Sequence, residues 1–221
     1  MLKEFEKRLL SSLILIPIAI FFIFQDKIFF GFFLSIFFLA TSYEWIKMNK
    51  IDFLKIIGVC YLSFAFLFAY LLREKFTLEL FILVLIICIF TDLGGYIFGK
   101  FFKGPKLIKI SPKKTYAGAL GGFVLSLVAA LIYLKYIASG IATFFNLSIW
   151  TDLSLNKIYL LFILVISLIS QIGDLIISYF KRLAKVKDTG ILLPGHGGLL
   201  DRLDGIIFAI PFSYLLLSYL R

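Results

Sequence analysis

Seven stretches of this chain, 9–24, 28–46, 53–72, 77–99, 116–138, 157–180 and 203–220, run almost without charge. About 20 such residues wound as a helix cross the ~30 Å hydrocarbon layer of a bilayer. In lipid the backbone N–H and C=O groups must be paired within the protein, which leaves helices or a closed barrel. A barrel requires alternation at every second residue in ~10-residue segments, and none is visible. The expected fold is therefore all-α, a polytopic integral membrane helical bundle of about seven transmembrane helices. Composition agrees: 62% of residues are hydrophobic, 27 are Phe, and mean hydropathy is +1.04. The first run follows Lys3, Lys7 and Arg8, as in a signal peptide, but Pro17 sits inside it and no small-x-small cleavage site closes it. It reads as a retained first span.

The net charge of +10 would suggest nucleic acid in a soluble protein. In a membrane protein it reads as positively charged loops on the cytoplasmic side, and nucleic acid is set aside as a partner. With the N-terminus cytoplasmic, the outer face holds Lys27, Arg73, Lys75, Lys135, Lys157 and Arg221, leaving 17 of the 23 Lys and Arg inside. Cys60 and Cys88 both fall in apolar runs, so no disulfide framework is expected.

Acids within spans are costly and point to function. Asp92 and Asp174 each lie about seven residues before the inner end of a span, ~10 Å deep. The fourth and sixth spans run the same way, so the two acids are expected at one level. Asp201 and Asp204 open the last span at the same face. On the sixth span Ser167, Gln171, Asp174, Ser178, Lys181 and Lys185 follow at spacings of 4, 3, 4, 3 and 4, which is one helix face. A polar seam between packed helices would give the same stripe. On the fifth span Gly118, Gly122, Ser126 and Ala130 imply close helix packing. A phosphate cradle from Gly118, Gly121 and Gly122 is the alternative. Lys113 and Lys114, beside Thr115 at that helix's start, suit a phosphate, although retention of positive charge inside explains them as well.

The single histidine, His196, stands between glycines, where it either satisfies a turn or contacts phosphate and moves protons. Gly195, Gly197 and Gly198 permit tight turns. Asp201 also suits a helix N-cap, with Asp204 in the first turn. Carboxylates sharing a hollow repel unless a cation intervenes. Few hard oxygen ligands with room for water and phosphate suit Mg²⁺, with a second metal ion or K⁺ as further candidates. Cations beside them suit polyphosphate. Together these groups point to phosphoryl or nucleotidyl transfer. Zinc is not expected, because no Cys or second His accompanies His196.

The 27 residues from Ser178 to Asp204, with Phe180-Lys181-Arg182, Lys187-Asp188, Gly190, Leu193-Pro194, His196-Gly197-Gly198-Leu199 and Asp201-Arg202-Leu203-Asp204, resemble the signature of the phosphatidate cytidylyltransferases (CDP-diacylglycerol synthases). The similarity extends through Ser111-Pro112-Lys113-Lys114-Thr115 with Gly118, and through Asp92 with Tyr96 and Gly99. It covers roughly residues 90–210, which implies N-terminal helices over 1–75 and a catalytic transmembrane domain over 76–221. The resemblance implies that CTP and phosphatidic acid from the bilayer give CDP-diacylglycerol and pyrophosphate, with Mg²⁺ required, in a homodimer of the inner membrane. It implies Asp174 and Asp201 as metal-site residues, with Asp92 and Asp204 as further candidates. Lys187, Asp188 and His196 join the two aspartates as expected catalytic residues. Ser178, Lys181, Arg182, Lys113, Lys114, Thr115, Gly197, Gly198 and Arg202 are the expected substrate contacts. The chain departs from the pattern at Ala117 and Ile177, where the family usually has Glu, and at Gly205, often Ser. A CTP-dependent transferase or kinase acting on another membrane lipid, a transporter and an inactive relative are the competing readings.

Overall fold

The computed structural model describes residues 2–108, 111–137, 157–193, 195 and 197–220. Helices α1 (Leu2–Phe24), α2 (Lys27–Met48), α3 (Asp52–Lys75) and α4 (Leu78–Phe102) are followed by strands β1 (Lys106–Ile108) and β2 (Ser111–Thr115). Then come α5 (Tyr116–Ile132), extended by a π-helical turn at Tyr133–Ile137, α6 (Lys157–Leu183), the short α7 (Leu200–Leu203) and α8 (Ile206–Leu220). Five of these helices, α2 to α6, are long and apolar enough to cross a membrane. The chain is a polytopic helical membrane protein, as its apolar runs require. Many large apolar side chains point outward, such as Ile28, Phe32, Leu39 and Phe53. Outward apolar groups suit helices whose solvent is lipid.

Three boundaries differ from the sequence reading. The last run is broken at Asp204–Gly205, where the first residues wind as α7 and only 15 residues continue as α8. A side chain on Gly205 would meet Ser170 Oγ, so the chain turns here at a position with no room for a Cβ. The β1–β2 hairpin, paired Lys106↔Thr115 and Ile108↔Ser111, was not anticipated in an all-α fold. Lys185 leaves the polar stripe because α6 ends at Leu183. There the Val186 N–H donates to the Lys181 carbonyl (2.9 Å) and the Lys185 N–H to that of Arg182 (3.0 Å), with Lys185 at φ +59°. This is a Schellman closure with lysine in the left-handed position that glycine usually takes.

The chain forms two compact units, Met1–Tyr70 with Phe180–Asp204, and Leu71–Tyr179 with Gly205–Arg221. In the first, Trp45 ties α2 to α3. Its indole N–H donates to the Leu54 carbonyl (2.9 Å), and its ring fills the space left by Gly58. The same ring meets Phe180 edge-on at 5.1 Å. Glu44, one residue earlier on α2, is buried.

In the second unit α4 and α5 touch backbone to backbone. A Cβ on Gly94 would stand 2.9 Å from Gly122 Cα, and one on Gly118 would stand 2.7 Å from the Gly95 carbonyl. The small-residue stripe of α5 is thus a packing surface, with Gly118, Gly122, Ser126 and Ala130 all buried. Successive contacts ascend α4 while descending α5, so the two are antiparallel. Next, α6 packs across both: Thr91 Oγ1 and Ser167 Oγ lie 2.7 Å apart, and Gln171 donates to the Ala119 carbonyl at 3.4 Å. In turn, α8 rests on α6 where Phe208 fills the space beside Gly173.

Candidate functional site

In the second unit the polar stripe of α6 divides its work. Ser167 and Gln171 form the seam with α4 and α5, the alternative the spacing had left open. One and two turns further on, Asp174 and Ser178 turn instead toward the β2 strand. The Lys114 ammonium pairs with Asp174 Oδ2, and Ser178 Oγ donates to Asp174 Oδ1 at 3.3 Å. Both partners of the ion pair are about a quarter exposed (27% and 25%), so a polar ligand can reach them. Lys114 is carried there by the hairpin. Thr115, expected to bind substrate, accepts the Gly118 N–H at 3.1 Å and caps α5. Lys113 lies in β2 beside Lys114.

Asp92 stands one residue past Thr91, whose hydroxyl meets that of Ser167 on α6. Asp92 lies on the exposed side of α4.

In the first unit the loop after α6 folds around Asp201. Asp201 Oδ2 accepts the Thr189 N–H (2.8 Å), the Thr189 hydroxyl (3.1 Å) and the Gly198 N–H (3.0 Å). Oδ1 pairs with the Lys181 ammonium at 2.7 Å, both side chains being largely buried. Glu44 reaches the same loop from α2. Its Oε1 accepts the Leu199 N–H (2.9 Å), and its Oε2 accepts the Leu200 N–H (2.8 Å) and the Thr189 hydroxyl (3.1 Å). Reciprocal backbone bonds join Leu193 and Gly197. Gly195 and Gly197 sit at φ +78° and +90°, a region that L side chains avoid. His196 itself lies outside the described residues, as does Pro194.

Of the other expected residues, Arg182, Lys187, Asp188 and Arg202 are exposed, and Asp204 is buried at the end of α7. The space beside Gly198 is filled by Thr189 and by Glu44 Oε2, 2.6 Å from where a Cβ would sit. Glu44 and Thr189 are the site residues that sequence reasoning missed. Glu44 carried a signal, being an acid inside an apolar run. Thr189 carried none beyond its place between Asp188 and Gly190. The departures from the family pattern fit their surroundings: Ile177 is 3% exposed within the second unit, and Gly205 has no room for a side chain.

The donor chemistry can be tested against Mg²⁺. This ion binds through one or two carboxylates and fills its remaining positions with water and substrate phosphate. Asp174, partly exposed with a hydroxyl on the same helix face, fits that role. Asp201 already has protein donors on both oxygens, and an ion at Oδ1 would share that oxygen with the Lys181 ammonium, a like charge.

Residues 53–220 match the cytidylyltransferase family, three quarters of the chain. The chain belongs to that family. Among its relatives, the phosphatidate cytidylyltransferase of Staphylococcus haemolyticus is 35% identical over 185 residues, and that of Staphylococcus aureus is 36% identical over 185 residues. The phosphatidate cytidylyltransferase of Staphylococcus saprophyticus is 33% identical over the same length. Each alignment covers 81% of this chain and 66% of the relative, so the chain spans just under two thirds of the length of the relatives it matches. Both side-chain clusters include residues inside the stretch shared with the cytidylyltransferase family. Glu44 precedes that stretch.

Proposed function

We propose that this chain is a phosphatidate cytidylyltransferase, transferring the cytidylyl group of CTP to phosphatidic acid at the cytoplasmic face of the membrane. The observation that carries the reading is the Lys114–Asp174 pair with Ser178, which lies within residues 53–220, the stretch that matches the cytidylyltransferase family. A lipid phosphate and a soluble nucleotide must meet at the edge of the bilayer. A partly exposed pair of a carboxylate within α6 and an ammonium just before α5 suits such a meeting.

In this reading Asp174, with Ser178, would hold Mg²⁺, which would supply charge neutralisation for the triphosphate and its leaving group. A phosphate monoester is already anionic near neutral pH, so a phosphatidate oxygen attacks the α-phosphorus without a strong general base. The new P–O bond forms as the bond from the α-phosphorus to the bridging oxygen breaks, and pyrophosphate carries away the electron pair. Lys114 stabilises charge developing on phosphate oxygens. The exposed Arg182, Lys187 and Arg202 bind phosphates of nucleotide, lipid or leaving group. Catalysis rests on positioning and charge neutralisation. The excess of Lys and Arg in loops on one side supports cytoplasmic placement, and the family resemblance supports a homodimer.

The test is to incubate the purified full chain in detergent with labelled CTP, Mg²⁺ and dioleoyl phosphatidic acid, and to follow lipid-soluble cytidine nucleotide. Product that depends on both the lipid and Mg²⁺ is expected, with Asp174→Asn reduced about a hundredfold or more. Absence of product, or an Asp174→Asn variant equal to its parent, overturns the reading.

A further inference from the structure

Glu44 has no part in the reaction as set out above, yet its carboxylate is among the most fully engaged groups in the first unit. It is 1% exposed. Its three donors are the Leu199 N–H, the Leu200 N–H and the Thr189 hydroxyl. Two glycines make room for it: a Cβ on Gly190 would stand 2.6 Å from Oε1, and a Cβ on Gly198 would stand 2.6 Å from Oε2. Leu200 directly precedes Asp201. The Thr189 hydroxyl lies 3.1 Å from Glu44 Oε2 and 3.1 Å from Asp201 Oδ2, with one proton to give the two of them. Glu44 thus holds the main chain at Leu199 and Leu200 and the side chain of Thr189, and it shares that hydroxyl with the carboxylate that holds Lys181.

We propose that Glu44 is a positioning residue for the transfer reaction. Standing ahead of residues 53–220, it holds Thr189 and Leu199–Leu200 so that Asp201 and Lys181 keep one arrangement. This rests on the function proposed above. A buried acid that merely stabilised the fold would change the folded fraction and leave the folded enzyme's turnover alone. A positioning acid changes turnover through Asp201, which the family resemblance implies as a metal-site residue.

Glu44→Gln separates the two. The amide has one acceptor oxygen, so whichever way it is turned either the Leu199 or the Leu200 N–H faces another donor. In the full chain, Glu44→Gln should raise amide exchange in the peptide bearing Leu199 and Leu200 about tenfold. It should lower kcat of the folded enzyme about tenfold, with KM for CTP changed less than about threefold. On an Asp201→Asn background the same change should add less than about twofold, since residues acting as a unit are not additive. Gly190→Ala, which presses on Oε1 without altering the charge, should reproduce the exchange and turnover effects and decides the matter if Glu44→Gln does not fold. Unchanged turnover in folded protein, or effects of Glu44→Gln and Asp201→Asn that multiply, overturns the proposal. Should the parent make no product, the function falls by itself. The exchange result then judges Glu44 alone, and unchanged protection at Leu199–Leu200 sinks the proposal.

Discussion

Asp174 and Asp201 each face a lysine, and their surroundings ask different things of them. Asp174 has one charged partner, one hydroxyl and a quarter of its surface open. Asp201 has four donors and is nearly closed. Asp174→Asn should therefore remove activity while leaving the fold almost unchanged, because a partly exposed ion pair contributes ~1 kcal/mol or less. Asp201→Asn should also cost stability, about 1–3 kcal/mol, because its amide nitrogen must face a donor that now has no acceptor. Melting both variants in detergent beside an activity assay checks this; equal melting shifts would refute the distinction. Asp174 and Lys114 were legible as candidates because an acid inside a span and lysines at a helix start are local signals. Their pairing was not, since a hairpin absent from the sequence reading brings them together. Glu44 was less legible still. Its acceptor role depends on backbone N–H groups some 155 residues away, which no spacing rule can reach.

At the scale of elements, the α4–α5 contact makes the sharpest demand. Gly94 and Gly95 are neighbours in the middle of one helix, yet their empty sides differ. A Cβ on Gly94 would press into the Gly121 carbonyl and stand 2.9 Å from Gly122 Cα, whereas the nearest atom to a Cβ on Gly95 is 3.9 Å away. Backbone cannot step aside as a side chain can. Gly94→Ala should thus cost at least ~1–3 kcal/mol, as overpacking does. Gly95→Ala should be neutral or stabilise by up to ~1 kcal/mol, the usual gain of alanine over glycine within a helix. Thermal unfolding in one detergent compares them, and similar shifts would argue against backbone-to-backbone packing here. The period of four on α5 announced such packing. It could not name the partner by itself, although Gly95 and Gly99 on α4 stand at the same spacing and both face Gly118. On α6 the stripe was read one member too far, since Lys185 continues the spacing after the helix has closed in a Schellman turn.

At the scale of the whole chain, the apolar runs made the spans legible, since lipid leaves the backbone few options. Charge adds a direction. By the count of charges on each side, Lys181 and Arg182 at the end of α6, with Lys185 and Lys187 after it, belong to the side with most Lys and Arg, and Arg73 and Lys75 to the other. A nucleotide substrate requires the first side to be cytoplasmic. Lys187 and Lys75 are both exposed, so each can carry a reporter thiol. In a variant with Cys60 replaced by Ser, Lys187→Cys should react with a membrane-impermeant maleimide only in inverted vesicles, and Lys75→Cys only in intact spheroplasts. The reverse pattern would place the signature loop away from CTP and remove the substrate from the proposed reaction. Labelling of both from one side would mean that the number of crossings between residues 75 and 187 is even, contrary to the three helices α4, α5 and α6 among the described residues between them.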